Sequence, residues 1–326
     1  MALVENGWEM EAPGAGIRGQ YRRERCGASV LHSAGCAGRP AKFLIESLLM
    51  DDLRGKVAVV TGGGSGIGRA MALAFAAEGM HVAIADVELG PADTVAAEVT
   101  AKGVRALTAK VDVTDRPAVK AFADRVFAEL GSCDILCNNA GVVAFRPVPQ
   151  MTDADWDWVV GVDLLGVING TQAFLPRMAQ AGRGGHIVNT ASIAGMIAGA
   201  TPGIASYTTA KFGVVGMSEG MANDLARVNI GVSVLCPGGV RTQIGNAGRN
   251  RPDEYGGPEP MNERISAGSA QFGMDADDVA ALVVRAVKEN QLHIMTHEDT
   301  KAGVAERFDR ILAAYDWGLA NLKKGA

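Results

Sequence analysis

The sequence predicts an α/β protein: a single domain built on one doubly wound parallel sheet of seven strands, with helices on both faces. Three observations predict it. Short apolar runs alternate with Ala-rich helical stretches from Lys56 onward. Those runs are apolar throughout rather than at every second residue, the pattern of strands covered on both faces. Enough chain separates successive runs for a helical crossover, which parallel strands require.

The elements follow in order. Val57–Thr61 reads as the first strand, Gly62–Gly68 as a turn, and Arg69–Glu78 as a helix ended by Gly79. Val82–Asp86 is the second strand, and Pro91–Lys102 a helix with Gly103 at its C-terminal end. Ala106–Asp112 is the third strand. Pro117–Leu130 is a helix that opens on proline, whose missing N–H costs nothing in a first turn, and that stops at Gly131. Ile135–Asn138 is the fourth strand, followed by a long helix from Asp153 to Met178 with a bend expected near Pro176. His186–Thr190, the helix Ser206–Arg227, Val232–Cys236 and His293–Thr296 complete the pattern. The polar stretch from Arg241 to Met274, about residues 241–274, interrupts it and reads as a mobile lid over a site. Residues 51–326 thus form one domain. Residues 1–50 lack any helical or strand period and read as a disordered extension, or as an upstream start with Met50 the natural one.

Composition narrows the class. A hydrophobic content of 48% supports a large core, and only 5% aromatics means Ala, Val, Ile, Leu and Met build it. A net charge of −5 without any Lys/Arg block argues against a nucleic-acid partner. No run is read as approaching the roughly 20 apolar residues of a membrane span. Five cysteines, an odd number without metal spacing, point to a reduced, cytoplasmic protein with no metal site. Cys133 and Cys137 read as core thiols, Trp156 and Trp158 as packing residues, and His293 and His297 as too isolated for a metal.

The turn Thr61-Gly62-Gly63-Gly64-Ser65-Gly66-Ile67-Gly68 lies between the first strand and first helix. Glycines let a backbone approach a pyrophosphate, and the helix N-terminus behind them offers unpaired N–H groups. The G-x-x-x-G-x-G spacing departs from the G-x-G-x-x-G fingerprint, so a structural turn remains open on this motif alone. Asp86 ends the second strand about 20 residues on, where a carboxylate accepts from an adenosine ribose diol. It would repel a 2′-phosphate. With Val87 and Glu88 beside it, Ser65 in the turn and only Arg69 nearby, the expected cofactor is NAD.

Tyr207 and Lys211 stand four residues apart on a helix and share a face. A phenol has an ordinary pKa of about 10, and an ammonium beside it stabilises the phenolate. The pair can act as a phenolic acid/base. Ser192, after the fifth strand, can bind a carbonyl oxygen beside the phenol, or simply cap a turn.

From about residue 53 to 300 the chain resembles the short-chain dehydrogenase/reductase family. The matching pieces, in order, are Thr61–Gly68, Asp86, Asp112-Val113, Asn138-Asn139-Ala140-Gly141, Ser192, Tyr207-Thr208-Thr209-Ala210-Lys211 and Pro237-Gly238. The resemblance implies a Rossmann-like fold and hydride transfer between NAD and a secondary alcohol or ketone; the lid and the Gly/Ala-rich Gly195–Ala205 loop suggest room for a bulky or aryl substrate. It implies that Asp112 and Val113 contact adenine, that Asn139 lies along the ribose, and that Lys211 holds the nicotinamide ribose. It also implies that the segment from Pro237 through Gly238 and Val240 to Thr242 wraps the nicotinamide amide. Asp163 stands where the family commonly has Asn, as the fourth catalytic member, and its carboxylate would compete with the phenolate for the lysine charge. A homodimer or homotetramer through the helices starting at Asp153 and Ser206 is also implied. The substrate pocket is expected from Ala144–Met151, Ala194–Ser206 with the Gly195–Ala205 loop, and Arg241–Met274. Two other readings remain: an NADPH-dependent ketoacyl-thioester reductase, disfavoured by Asp86, and a cofactor-sensing protein without catalysis, disfavoured by the intact Ser192, Tyr207 and Lys211.

Overall fold

The computed structural model describes residues 50–199 and 201–322. The expected disordered extension lies outside the described residues, except Met50, whose side chain packs against the core. Seven strands form one parallel sheet: β1 Val57–Thr61, β2 His81–Asp86, β3 Ala106–Lys110, β4 Ile135–Asn138, β5 Gly185–Thr190, β6 Ile230–Cys236 and β7 His293–Met295. Their spatial order is β3-β2-β1-β4-β5-β6-β7. The order reverses direction between β1 and β4, which pair through Ala58 with Ile135, Val59 with Leu136 and Val60 with Cys137. A crevice opens at such a switch point, beyond the C-terminal strand ends.

Strand geometry distributes the core. Side chains alternate faces along a strand, so β1 sends Ala58 and Val60 to one layer and Val57 and Val59 to the other. On the first face lie α1 (Gly66–Ala77), α2 (Leu89–Thr100) and α8 (Ala276–Glu289), with Phe75, Val95 and Val283 buried there. On the other face are α3 (Arg116–Glu129) and α5 (Gly166–Ala181), where Phe122 meets Phe174 edge to face at 6.0 Å. This two-faced burial is why the strands carry no polar alternation.

Three expectations need correction. The first helix starts at Gly66, not Arg69, so the second half of the glycine turn is already helical. The long helix from Asp153 is not one uninterrupted α-helix. It runs as α4 (Asp153–Val160), a π-helical turn Gly161–Leu165, and α5, with Pro176 inside α5. Gly166 allows this crossing, because a Cβ there would sit 2.6 Å from the Val113 side chain. The whole Asp153–Ala181 run is 29 residues with a hydropathy of 1.3, long and apolar enough to span a bilayer, contrary to the sequence reading. Its apolar window is 56% buried inside the protein, as befits a helix packed on a sheet.

Three helices escaped the sequence reading: α7 (Glu263–Phe272), α8, and α9 (Lys301–Leu322). α8 is strongly amphipathic. Asp275 caps it by accepting from Asp277 N, and Val279, Val283 and Val287 recur every fourth residue on its buried face. The remaining long helix, α6 (Ala205–Ala226), packs beside β6 and carries Tyr207 and Lys211.

Candidate active site

A cleft of about 520 Å³ lies over the β1–β4 switch point. Gly62, Ser65, Gly66 and Ile67 form its floor, while Asp86, Asp112 and Val113 line one end. Asn139, Ser192, Tyr207, Lys211, Pro237, Gly238, Val240 and Thr242 line the other. Of the residues singled out in the sequence, Gly68 and Asp163 are not on this wall. A Cβ on Gly68 would lie 2.1 Å from the Gly62 carbonyl oxygen, so this glycine serves the packing of helix against turn. Asp163 stands behind Lys211, fully buried.

The floor is made for an anion. Ser65 is the N-cap of α1 in an extended conformation, yet its side chain makes no capping bond. The first-turn N–H groups therefore have no side-chain partner, and they carry the positive end of the helix dipole. Gly62, at φ +63°, turns the chain where a Cβ would meet the Ala140 backbone at 2.8 Å.

Asp86 is fixed by its own backbone surroundings. One carboxylate oxygen accepts from Gly64 N and the other from Glu88 N, both at 2.9 Å. Arg69 turns outward to Glu98 at 2.6 Å. The cation that reaches this end is one the sequence reading missed: Arg249 of the lid pairs with Glu88 at 2.5 Å, and Asn250 donates to the same carboxylate at 3.0 Å. Arg249 is 161 positions from Glu88, so no local pattern announces it.

A hydrogen-bond chain crosses the centre of the cleft. Lys211 Nζ donates to Thr190 O at 3.0 Å, and the Thr190 hydroxyl donates to Asn139 Oδ1 at 3.2 Å. Asn139 in turn holds β1, donating through N to Thr61 Oγ1 at 2.9 Å and through Nδ2 to Thr61 O at 3.1 Å. Lys211 thereby joins the glycine turn through three strands. Its second partner is Asp163 Oδ2, at 3.1 Å, and both side chains are buried. The π-helical turn aims Asp163 inward, where Oδ1 accepts from Val142 N at 2.7 Å.

This pair sets the local electrostatics. Burial pushes the Asp163 carboxyl above its ordinary value, against the pull of Lys211 and the Val142 N–H. Burial pulls the Lys211 ammonium down, but Asp163 and Tyr207 carry it above its ordinary value. Tyr207, with its ring centroid 5.4 Å from Lys211 Nζ, is raised: burial acts first, Lys211 opposes it, Asp163 adds to it, and the Ser192 hydroxyl lowers it. Asp163, expected from the sequence to compete for the lysine charge, lies 3.1 Å from Lys211 Nζ. Ser192 also caps a short helical turn, its Oγ accepting from Ala194 N at 3.1 Å.

The substrate end is apolar. Val142, Trp158 and Val162 face Ile244, Ile265 and Phe272 across it. No described residue of the expected pocket segments Ala144–Met151 and Ala194–Ser206 lines the cleft. They bind each other instead, with Arg146 N donating to Gly203 O at 2.8 Å, while Gly195 is pressed onto the Lys211 backbone. The Arg241–Met274 segment does line it, and it is pinned by charge. Arg251, buried, pairs with Asp155 at 2.7 Å and Glu259 at 2.9 Å, over the Trp158 ring at 5.3 Å. Arg146 reaches the same two carboxylates. Burial opposes ionisation of Asp155, yet the Thr152 hydrogen bonds and the two guanidinia hold its carboxyl down at about 2. Thr152 and Asp155 form the capping box of α4, and Asp155 has a second duty as a lid anchor.

Other side chains are spoken for. Cys133, Cys137 and Cys236 are buried free thiols, and burial pushes that of Cys236 up to about 12. His293 pairs with Glu219 at 2.9 Å, and His297 bonds Gly239 O at 3.0 Å. Among the described residues no three metal-ligating side chains cluster.

Comparison with known proteins agrees with this geometry. Residues 56–253 match the family model described as short chain dehydrogenase. The chain is 35% identical over 268 residues to the C alpha-dehydrogenase of Sphingobium sp. strain SYK-6, covering 81% of this chain and 87% of that one. A short-chain dehydrogenase/reductase from Burkholderia phymatum, solved in complex with NAD, superposes with a TM-score of 0.77 at 35% identity, over 81% of this chain and 97% of that one. A metagenomic short-chain oxidoreductase solved with NADP has a TM-score of 0.60 at 29% identity, over 76% and 97%.

Proposed function

This chain belongs to the short-chain dehydrogenase family, and from that premise we propose that it is an NAD-dependent oxidoreductase interconverting an apolar, bulky or aryl secondary alcohol and its ketone. The observation that carries the reading is the placement of Ser192, Tyr207 and Lys211 together on the cleft wall, across from a glycine floor built for a pyrophosphate. The apolar walls at Trp158, Val162, Ile265 and Phe272 support an apolar substrate.

The residues present fit a dinucleotide. Gly62, Ser65, Gly66 and Ile67, with the free first-turn N–H groups of α1, would hold the pyrophosphate. Asp86 would accept from the adenosine ribose, with adenine against Asp112 and Val113. Asn139, Tyr207 and Lys211 would border the nicotinamide ribose, and Pro237, Gly238, Val240 and Thr242 the amide. When bound, NAD supplies the hydride acceptor. Tyr207 takes the alcohol proton in oxidation and returns it in reduction. Ser192 donates to the substrate oxygen, so negative charge developing there is met by a fixed dipole. An ammonium has three N–H donors. Lys211 donates one to Thr190 O and pairs by charge with Asp163 at 3.1 Å, which leaves donor capacity for the ribose and phenolate side.

NADH formation across a panel of aliphatic, aryl and steroid secondary alcohols tests the proposal; no turnover with any of them, despite NAD binding, would overturn it. For the cofactor, kcat/KM should favour NAD over NADP by on the order of 100-fold, from repulsion of the 2′-phosphate by Asp86. Asp86→Ser should narrow that gap, and an unchanged ratio would remove Asp86 from the discrimination.

Asp163 gives a pH prediction. Oxidation needs the phenolate, so its rate rises with pH through the raised Tyr207 pKa. Asp163→Asn keeps the shape and deletes a negative charge. The alkaline inflection of kcat/KM for alcohol oxidation should then move down by about one unit, the scale of one charge several ångströms away. An inflection that stays in place would separate Asp163 from the titrating group.

A further inference from the structure

The lid brings a cation to the Asp86 end of the cleft, and the chain's own carboxylate occupies it. Glu88 stands at the N-cap of α2, where short polar side chains cap best, and its side chain makes no capping bond. It turns to the lid instead. Arg249 grips it with two N–H groups, Nη2 to Oε2 at 2.5 Å and Nε to Oε1 at 3.4 Å. Such a fork suits carboxylate and phosphate alike. Asn250 Nδ2 donates to Oε2 at 3.0 Å. Arg249 also donates through Nη1 to Asn246 O at 2.9 Å, so its guanidinium has an anchor besides Glu88. Arg249 and Asn250 hold the Glu88 carboxyl below its ordinary value, against burial. All three side chains line the same cleft as Asp86.

We propose that Arg249 and Asn250 form a phosphate subsite that Glu88 keeps filled, so that Glu88 acts beside Asp86 to exclude the 2′-phosphate of NADP. The inference rests on the reading that Asp86 meets the adenosine ribose. The two carboxylates are held in a fixed relation, because Glu88 N donates to Asp86 Oδ1 at 2.9 Å. A 2′-phosphate would grow from the ribose edge that Asp86 holds. With Glu88 in place it meets two carboxylates and a guanidinium already neutralised. With Glu88 truncated it meets a free guanidinium fork and an amide donor, the chemistry that binds phosphate. Removing Asp86 alone lifts one repulsion and leaves the cation masked. Asp86→Ser therefore narrows the preference for NAD without reversing it. A pair that merely tethered the lid would act on both dinucleotides equally, since they differ only at the 2′ position.

The test is fluorescence titration of NADH and NADPH against the full-length chain and three variants. These are Asp86→Ser, Asp86→Ser with Glu88→Ser, and both of those with Arg249→Ala. Adding Glu88→Ser should shift the affinity ratio towards NADPH by about a further tenfold, the scale of one charge at a partly exposed site. Adding Arg249→Ala should take that gain away. A ratio unmoved by Glu88→Ser overturns the proposal, and so does a gain that survives the loss of Arg249. Equal weakening of both dinucleotides would mark the pair as a lid tether and also overturns it. Should the combined variants lose NADH binding altogether, Glu88→Ser alone carries the same test, at a side chain 33% exposed. Its ratio should still move towards NADPH, and an unmoved one overturns the subsite. A parent chain that binds neither dinucleotide would overturn the cofactor reading and the subsite with it. A parent that binds NADH beside a variant of fixed ratio overturns the subsite alone.

Discussion

Tyr207→Phe should lower turnover of a secondary alcohol by about 10³-fold, within the range for deleting a positioned acid/base. NADH affinity should stay within about threefold, because the substitution removes one hydroxyl and leaves the ring on the cleft wall. The physical basis is specific to this site. Tyr207 is half-buried, and its hydroxyl is flanked by the Ser192 hydroxyl and the Lys211 ammonium. Burial pushes the neighbouring Cys236 thiol up to about 12. Steady-state rates with a fluorescence titration of NADH separate the two effects. Turnover within tenfold of the parent enzyme would refute the mechanism, whereas a proportional loss of NADH binding would indicate damage to the cleft.

Lys211→Met should cost about 3–5 kcal/mol of folding stability at neutral pH, in addition to abolishing activity. The side chain itself is replaced by one of similar length. What is left behind is Asp163, wholly buried, with the Val142 N–H its remaining hydrogen-bond donor. The carboxyl is already raised by burial with the lysine present, and removing the lysine raises it further. A carboxyl raised in the folded state binds its proton more tightly there than in the unfolded chain. The variant is therefore at its best below the ordinary carboxylate pKa and loses stability as pH climbs towards the folded value. Lys211→Met combined with Asp163→Asn should recover most of the loss and flatten the pH dependence. Urea unfolding of both variants at pH 5 and pH 8 measures this. Equal stabilities for single and double variants would mean that the pair is not electrostatically coupled.

The contrast between the two predictions follows what each part of the chain encodes locally. Tyr207 and Lys211 sit one helical turn apart, so their shared face follows from 3.6 residues per turn. Asp163 is different. Its contact with Lys211 depends on a π-helical turn that no residue pattern announced, opposite a helix begun more than forty positions later. The departure from α geometry lies at Gly161–Leu165, next to Gly166, where a Cβ would meet the Val113 side chain at 2.6 Å, whereas Pro176 is a local signal that says nothing of that contact. The lid repeats the lesson. Its polar composition was readable, but its anchors at Asp155 and Glu88 come from distant segments. The amphipathic pattern of α8 lay in the sequence unread, while Arg146 and Gly203, from the segments Ala144–Met151 and Ala194–Ser206 expected to wall the pocket, bond each other.

By itself, then, the sequence determined the strands, most of the helices, the glycine turn, Asp86 at a strand end, and the Tyr207–Lys211 pair, because each rests on backbone periodicity or on contacts within a few residues. Only the tertiary structure decided which cations were free. Lys211 is shared with Asp163, Arg249 is held by Glu88, and Arg251 is buried on Asp155. Charge acts through space over several ångströms, without regard to chain order, and burial magnifies it. The state of the proton-transfer group was therefore undecided until folding brought those residues together.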